Sequence, residues 1–229
     1  MHSRSRHLLN EYKTPEEVAQ ANQAIYLTGN PPQGGDVIRQ FAITPSGTDF
    51  YSEECAAIAA AYDALPVCSP NAVELWQWLG EECRAQATRL RHQYHVIRYD
   101  DIDPYNTAEE MHQDIERGIF KVTSLHSEHP IWDVDTNVDF RISHDLQGHG
   151  STRSDFSLHG EVLAYQGQCA VTPEPLWPVL FTEIVGQICW CTTHHFFGPQ
   201  KVGLIMLDQA EIDRHLEQIT QKAESLKQS

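Results

Sequence analysis

Histidine and carboxylate are unevenly distributed in this sequence. Five of its 13 histidines, His144, His149, His159, His194 and His195, fall in one stretch beside Asp145, Glu161 and Glu183. Neutral imidazole and carboxylate are the donors that hold iron and zinc. Two imidazoles with one carboxylate leave coordination positions open for a reactant. In the segment Phe140-Arg-Ile-Ser-His144-Asp145-Leu-Gln-Gly148-His149-Gly150 the two histidines stand five residues apart. In a regular α-helix that spacing turns their side chains away from each other by about 140°. They meet only if the helix ends or tightens between them. Gly148 and Gly150 offer a break, because glycine accepts the left-handed conformation of a helix C-terminus. His144 is then expected on a last full turn, with His149 returning from the cap.

Two further carboxylates follow. Glu161 shares a helix face with Tyr165 and Gln168. Glu183 and Gln187 lie one turn apart in the otherwise apolar Phe181-Thr-Glu183-Ile-Val-Gly186-Gln187-Ile-Cys-Trp190. A carboxylate in such a helix is costly unless it is paired or coordinates a cation. His144, His149 and Glu183 are therefore expected to be the metal ligands. Asp145 is expected to fix an imidazole tautomer from behind. Glu161 is expected as a fourth ligand or a proton-transfer group, and Gln187 as a partner of Glu183 or of a bound water. Each residue alone has a plainer reading: a hydrogen-bonded core histidine, or a Glu183 salt-bridged to Arg141 or Arg153. His194 and His195 can simply answer a helix dipole. The grouping, rather than any single residue, argues for a metal.

Other templates fit less well. The sequence has no H-E-x-x-H, no G-x-S-x-G elbow, no glycine-rich phosphate loop and no Rossmann fingerprint. A di-iron bundle needs two E-x-x-H pairs, and only Glu109-x-x-His112 occurs. His112-Gln113-Asp114 mimics the H-x-D of 2-oxoglutarate oxygenases, but those need a many-stranded barrel that this helical pattern does not offer.

His144-Asp145-Leu-Gln-Gly148-His149 resembles the H-[ED]-L-x-G-H signature of the pterin-dependent aromatic amino acid hydroxylases. Phe181-Thr182-Glu183, 34 residues after the second histidine, resembles the region that supplies their third ligand. By that resemblance His144, His149 and Glu183 would be iron ligands, and a pterin would be possible. The same text is similar to a group of uncharacterised bacterial and phage proteins reading HD-x-x-GH, then GE, then E-x-x-GQ. Gly160, Glu161, Gly186 and Gln187 belong to that pattern. The resemblance covers about residues 137 to 205. The upstream half matches no pterin-binding or substrate-binding segment of the hydroxylases.

The resulting expectation is a mononuclear non-haem Fe(II) enzyme that activates O2 to hydroxylate or oxidise a small organic substrate. One alternative is a zinc-dependent hydrolase on the same ligands, with Glu161 as general base. A second is a non-catalytic binding or interaction protein.

The elements that must position these residues are mainly helices, with a few short strands. A helix is expected from Thr14 to near Gly29-Asn30, opened by Thr14-Pro15-Glu16-Glu17, and then a Gly/Pro-rich arm to Phe50. Further helices follow Ser52 and Ser69-Pro70, the second carrying Val73, Trp76, Leu79, Cys83 and Leu90 at helical spacing. His95 to Tyr99 and Ile119 to Thr123 read as strands, flanking a helix opened by Thr107 and closed by Gly118. The pattern is helical again from Asn137, with breaks at Gly148-Gly150 and around Thr172-Pro175. A last helix is expected from Asp208. No linker divides the chain, so residues 1–229 read as one irregular helical domain, mainly α or α+β, with residues 137–205 as its metal-site core.

The composition permits this. Apolar residues make up 41 % and charged residues 21 % of 229, enough to fold around a core without a metal or disulfide staple. The net charge of −16 disfavours nucleic-acid or anionic-membrane partners and leaves a small-molecule substrate as the expected one. The six cysteines form no C-x-x-C pair and read as buried thiols in a reducing compartment. Met1 to Leu9 has no apolar signal core, and Leu176 to Trp190 is interrupted by Pro178, Glu183 and Gln187. A cytoplasmic location is the expectation.

Overall fold

A computed structural model of the chain describes residues 52–205. The helix expected from Thr14, the arm to Phe50 and the helix expected from Asp208 lie outside the described residues. Within them the fold is mainly helical with one small sheet, as expected. Helix α1 (Ser52–Ala64) is followed by a short 3-10 turn (Pro70–Ala72) that leads into the long α2 (Val73–Gln93). Strand β1 (His95–Tyr99), α3 (Ala108–Glu116) and β2 (Ile119–Thr123) form a parallel pair in which His95 faces Ile119 and Tyr99 faces Thr123. The Thr107 hydroxyl caps α3 by accepting from the Glu110 amide at 3.3 Å, and Gly118 leaves it with φ 74°.

Helix α4 (Val134–Ser143) starts three residues earlier than the periodicity predicts. Asp133 is the reason: its carboxylate accepts from the Thr136 amide at 2.8 Å and caps the helix there. Beyond Ser143 the chain stays helical through a π turn (His144–His149) and a final turn (Gly150–Thr152), and ends at Arg153 with φ 56°. Next come α5 (Leu158–Cys169), a 3-10 turn (Glu174–Leu176), α6 (Trp177–Leu180), a second π turn (Phe181–Gly186) and α7 (Gln187–His194). The break expected around Thr172-Pro175 is the joint between α5 and α6.

Two apolar clusters form the core. One gathers side chains of α1, α2, α5, α6 and α7 around the fully buried Trp76 and Tyr165. The other packs Met111, Phe120 and Val122 against Ala87 and Leu90 of α2 and Val138, Ile142 and Leu146. Helix α4 serves both, since Phe140 belongs to the first cluster and Val138 and Ile142 to the second. The π turn that carries His144 thus grows from a helix held on two sides. Each fully buried large side chain contributes about 1.5–3 kcal/mol.

Polar contacts pin the crossing of α2 and α4. Arg91 meets Asp139 at 2.7 Å, and Arg84 donates to the Thr136 hydroxyl at 2.7 Å. The segment 198–205 is tied to α1 by the buried Lys201, whose ammonium donates to the carbonyls of Tyr62, Asp63 and Leu65 at 3.0, 2.7 and 2.9 Å. These carbonyls terminate α1, where a cation is favoured and three ammonium protons find three acceptors. No helix among the described residues is long and apolar enough to cross a membrane. All six cysteines are free; four are buried as expected, but Cys68 is exposed and Cys191 half-buried.

His129 lies in the aromatic seam between α2 and α4, stacked on Trp132 with ring centroids 4.3 Å apart. Its Nδ1 accepts from the amides of Ile131 and Trp132 at 3.3 and 3.1 Å. Burial pushes its pKa down to about 4. Below the ordinary histidine pKa the unfolded chain takes up this proton before the folded chain does, so the histidine costs stability as pH falls from about 6.5 to about 4. His129→Asn keeps an acceptor in place of Nδ1. Its melting temperature is expected to fall less steeply than the wild type's across that window, measured by circular dichroism; parallel curves would contradict this.

Candidate metal centre

His144 and His149 do converge, but not by the expected break. Gly148 lies inside the helix and Gly150 is right-handed helical, with φ −63°. The convergence comes instead from the widened turn, in which the Gly150 amide reaches back five residues to the carbonyl of Asp145. A turn closed over five residues brings positions 144 and 149 onto one face, where an α-helical turn would splay them by about 140°. The ring centroids lie 4.9 Å apart and nearly perpendicular.

Helix α5 brings the third donor. It approaches the π turn so closely that a Cβ on Gly148 would stand 2.8 Å from the Ala164 carbonyl, and one on Gly167 2.8 Å from the Gln147 carbonyl. Gly148, Ala164 and Gly167 therefore set the spacing of the two segments. Glu161, on the same helix, projects between the imidazoles: Oε2 lies 3.3 Å from His144 Nε2, and Oε1 lies 3.4 Å from His149 Nε2. All three side chains are largely shielded, His149 almost completely.

His144, His149 and Glu161 could hold a metal ion, their donor atoms lying within 4.8 Å of one another. Donors that surround one ion at 2.0–2.2 Å with tetrahedral or octahedral angles stand roughly 3.0–3.5 Å apart, which matches the two Nε2–carboxylate separations. The other ring nitrogens are already engaged. His144 Nδ1 lies 3.1 Å from Gln168 Oε1, and His149 Nδ1 lies 3.0 Å from the Ser154 hydroxyl. Since an amide oxygen can only accept, His144 carries a proton on Nδ1, and Nε2 is the nitrogen left to face Glu161.

Electrostatics point the same way. Burial disfavours charge on both members of the His144–Glu161 pair, yet their mutual contact outweighs it. The imidazole pKa is driven up and the carboxyl pKa down. The carboxylate is thus held as an anion against the His144 imidazole, and the positive charge that a proton brings there is one a metal ion could supply instead. Phe140 stacks on His144 with centroids 5.7 Å apart, and the exposed Phe156 sits edge-on to His149 at 5.2 Å. Aromatic rings thus flank both imidazoles.

The structure does not bring Glu183 into this donor group; the carboxylate that converges with the two imidazoles is Glu161. Glu183 is buried on the second π turn, with the Gln200 amide nitrogen donating to both its oxygens at 3.1 and 3.2 Å. Burial pushes its pKa up to about 8, against the charges of His144 and Arg141 and the Gln200 hydrogen bond. The salt bridges of the plainer reading do not form: Arg153 pairs with Glu116 at 2.7 Å, and Arg141 donates to the carbonyls of Thr123 and His126. Gln187 meets Glu183 only through Gln200, whose amide oxygen accepts from Gln187 Nε2 at 2.9 Å. Asp145 is shielded and its pKa raised by burial, but the partners of the two ring Nδ1 atoms are Gln168 and Ser154. His159, His194 and His195 are exposed and outside the group.

Sequence reasoning singled out Gln168 only as a face-mate of Glu161. It missed Ser154, Gln200 and Phe156. Ser154, five residues beyond His149, repeats the spacing between the histidines and is the one with a readable signal.

No known protein family, curated protein or solved structure matches the chain.

Gly148→Ala tests the packing that builds the site. The added methyl group meets backbone rather than a movable side chain, so a loss of about 1–3 kcal/mol is expected in chemical denaturation. An unchanged midpoint would show that α5 and the π turn can separate freely.

Proposed function

We propose that this protein is a mononuclear non-haem iron enzyme, with Fe(II) held by His144 Nε2, His149 Nε2 and the Glu161 carboxylate, which activates O2 to oxidise or hydroxylate a small organic substrate. The observation that carries the proposal is the convergence of two Nε2 atoms on one buried carboxylate, with both imidazoles hydrogen-bonded from behind. Nitrogen and oxygen donors without a thiolate suit Fe(II), and three protein ligands leave sites open for reactants. When bound, iron of this type supplies O2 activation.

The protein's own contribution is to place and protect. Gln168 holds His144 in the tautomer that can ligate through Nε2, and Ser154 anchors the His149 ring. Phe140 and Phe156 flank the rings with apolar surface that limits water and accepts an apolar substrate face. Glu183, buried beside the group, is poised to hold or release a proton near the reacting substrate. Glu161 stands as ligand where Glu183 was expected. That departs from the third-ligand position which the hydroxylase resemblance implied, so the proposal includes no pterin.

A zinc hydrolase on the same three ligands is the competing reading. Its general base would then be Glu183, a buried carboxyl raised into the neutral range.

Protein purified anaerobically without chelators is expected to hold about one iron per chain by elemental analysis. His144→Ala, His149→Ala and Glu161→Ala should each lose it, whereas Glu183→Ala should keep it. Stoichiometric zinc in the protein as purified, with no O2 uptake by the iron-loaded protein, would favour the hydrolase. Metal loss in Glu183→Ala with retention in Glu161→Ala would overturn the ligand assignment.

A further inference from the structure

Behind His144 runs a chain of buried hydrogen bonds that all point the same way. His144 Nδ1–H donates to Gln168 Oε1 at 3.1 Å, and Gln168 Nε2 donates to the Ser143 hydroxyl at 3.4 Å. The Ser143 hydroxyl donates to Gln86 Oε1, its shorter acceptor contact; the other is Gln147 Oε1 at 3.0 Å. Gln86 Nε2 donates to Glu82 Oε1 at 2.8 Å and to the Val171 carbonyl at 3.1 Å. Gln86, Ser143 and Gln168 are each fully buried, and Glu82 is 5 % exposed. Three side chains on three helices thus connect the imidazole to the Glu82 carboxylate, which sits far from it in sequence.

The direction of the chain matters more than its length. A carboxylate at its end only accepts. It therefore makes Gln86 present its oxygen to Ser143, Ser143 present its oxygen to Gln168, and Gln168 present its oxygen to His144. Reversing any one link would set two donors or two acceptors face to face in a buried site, at a cost of about 1–3 kcal/mol. Successive bonds aligned in this way also polarise one another. Amide groups do not pass a proton along such a chain without adopting the imidic acid form, so it orients and polarises rather than conducting protons.

We propose that Glu82 is a positioning residue for His144: through Gln86, Ser143 and Gln168 it fixes the Nδ1–H tautomer and raises the donor strength of Nε2. This rests on the metal reading above only in its consequence for affinity; the orientation of the imidazole stands without it. The hydrogen-bond and ion-pair partners of Glu82 are Gln86 and Arg89, not His144, His149 or Glu161. Its one cationic neighbour among the described ion pairs is Arg89, 3.7 Å away and exposed, so the carboxylate stays directed toward Gln86.

The test uses the full chain and two variants, Glu82→Gln and Ser143→Ala. The first removes the charge that terminates the chain, and the second removes a middle link while leaving both ends. Two quantities are read at pH 8: the His144 Nδ1–H proton resonance, in zinc-loaded and in metal-free protein, and the zinc affinity by chelator competition. Both variants should move the resonance upfield, and zinc binding should weaken by about 3- to 30-fold, toward the lower part of the range for partners that orient metal ligands. Melting temperature identifies any variant that fails to fold, and the other variant then decides. An unmoved resonance together with unchanged zinc affinity in a folded variant overturns the proposal. If the wild type binds no zinc or iron while the metal-free resonance still moves, the metal reading falls and the relay stands.

Discussion

The structure depends on how closely α5 approaches the π turn that extends α4. That approach is possible because Gly148 and Gly167 have no side chains at the contact and Ala164 has a small one. It places Glu161 between two imidazoles that the widened turn has already brought onto one face. A π turn inside a helix gives up regular hydrogen bonding and persists where the surroundings hold it. Here the two apolar clusters on either side of α4 and the tight seat on α5 supply that constraint.

Within this frame Glu161, His144, His149 and Glu183 each have a polar partner. Glu161 faces two imidazoles, each imidazole is backed by a neutral hydrogen-bond partner, and Glu183 rests against Gln200. The two buried carboxylates differ in their surroundings and so in their properties. Glu161 has two histidines in contact, which outweigh burial and keep it anionic. Glu183 has one amide in contact and only more distant positive charge, so burial prevails and its pKa rises. Two carboxylates whose environments push their proton affinities apart suit division of labour, one as ligand and one as proton carrier.

Much of this was legible in the sequence. The cap at Thr107, the end at Gly118, both strands and the joint near Thr172 follow from local turn and capping chemistry, which acts within a few residues. The histidine pair was legible from residue types alone. The way it converges was not, because glycine reads as a helix terminator by propensity, whereas Gly148 serves close packing against α5, a tertiary contact that local propensity does not report. The choice of Glu161 over Glu183 has the same origin: Glu183 stands out because its neighbours are apolar, but which carboxylate reaches the imidazoles is decided by tertiary geometry. The Glu82 chain was invisible for the further reason that its members lie on three separate helices and look, in sequence, like ordinary polar positions.

The most direct measurement is X-ray absorption at the metal edge of the iron-loaded or zinc-loaded protein. Two imidazole nitrogens and at least one oxygen at about 2.0–2.2 Å, with one imidazole lost in His149→Ala and an oxygen lost in Glu161→Ala, are the expected result. Sulfur in the first coordination sphere, or a spectrum indifferent to both substitutions, would contradict the account.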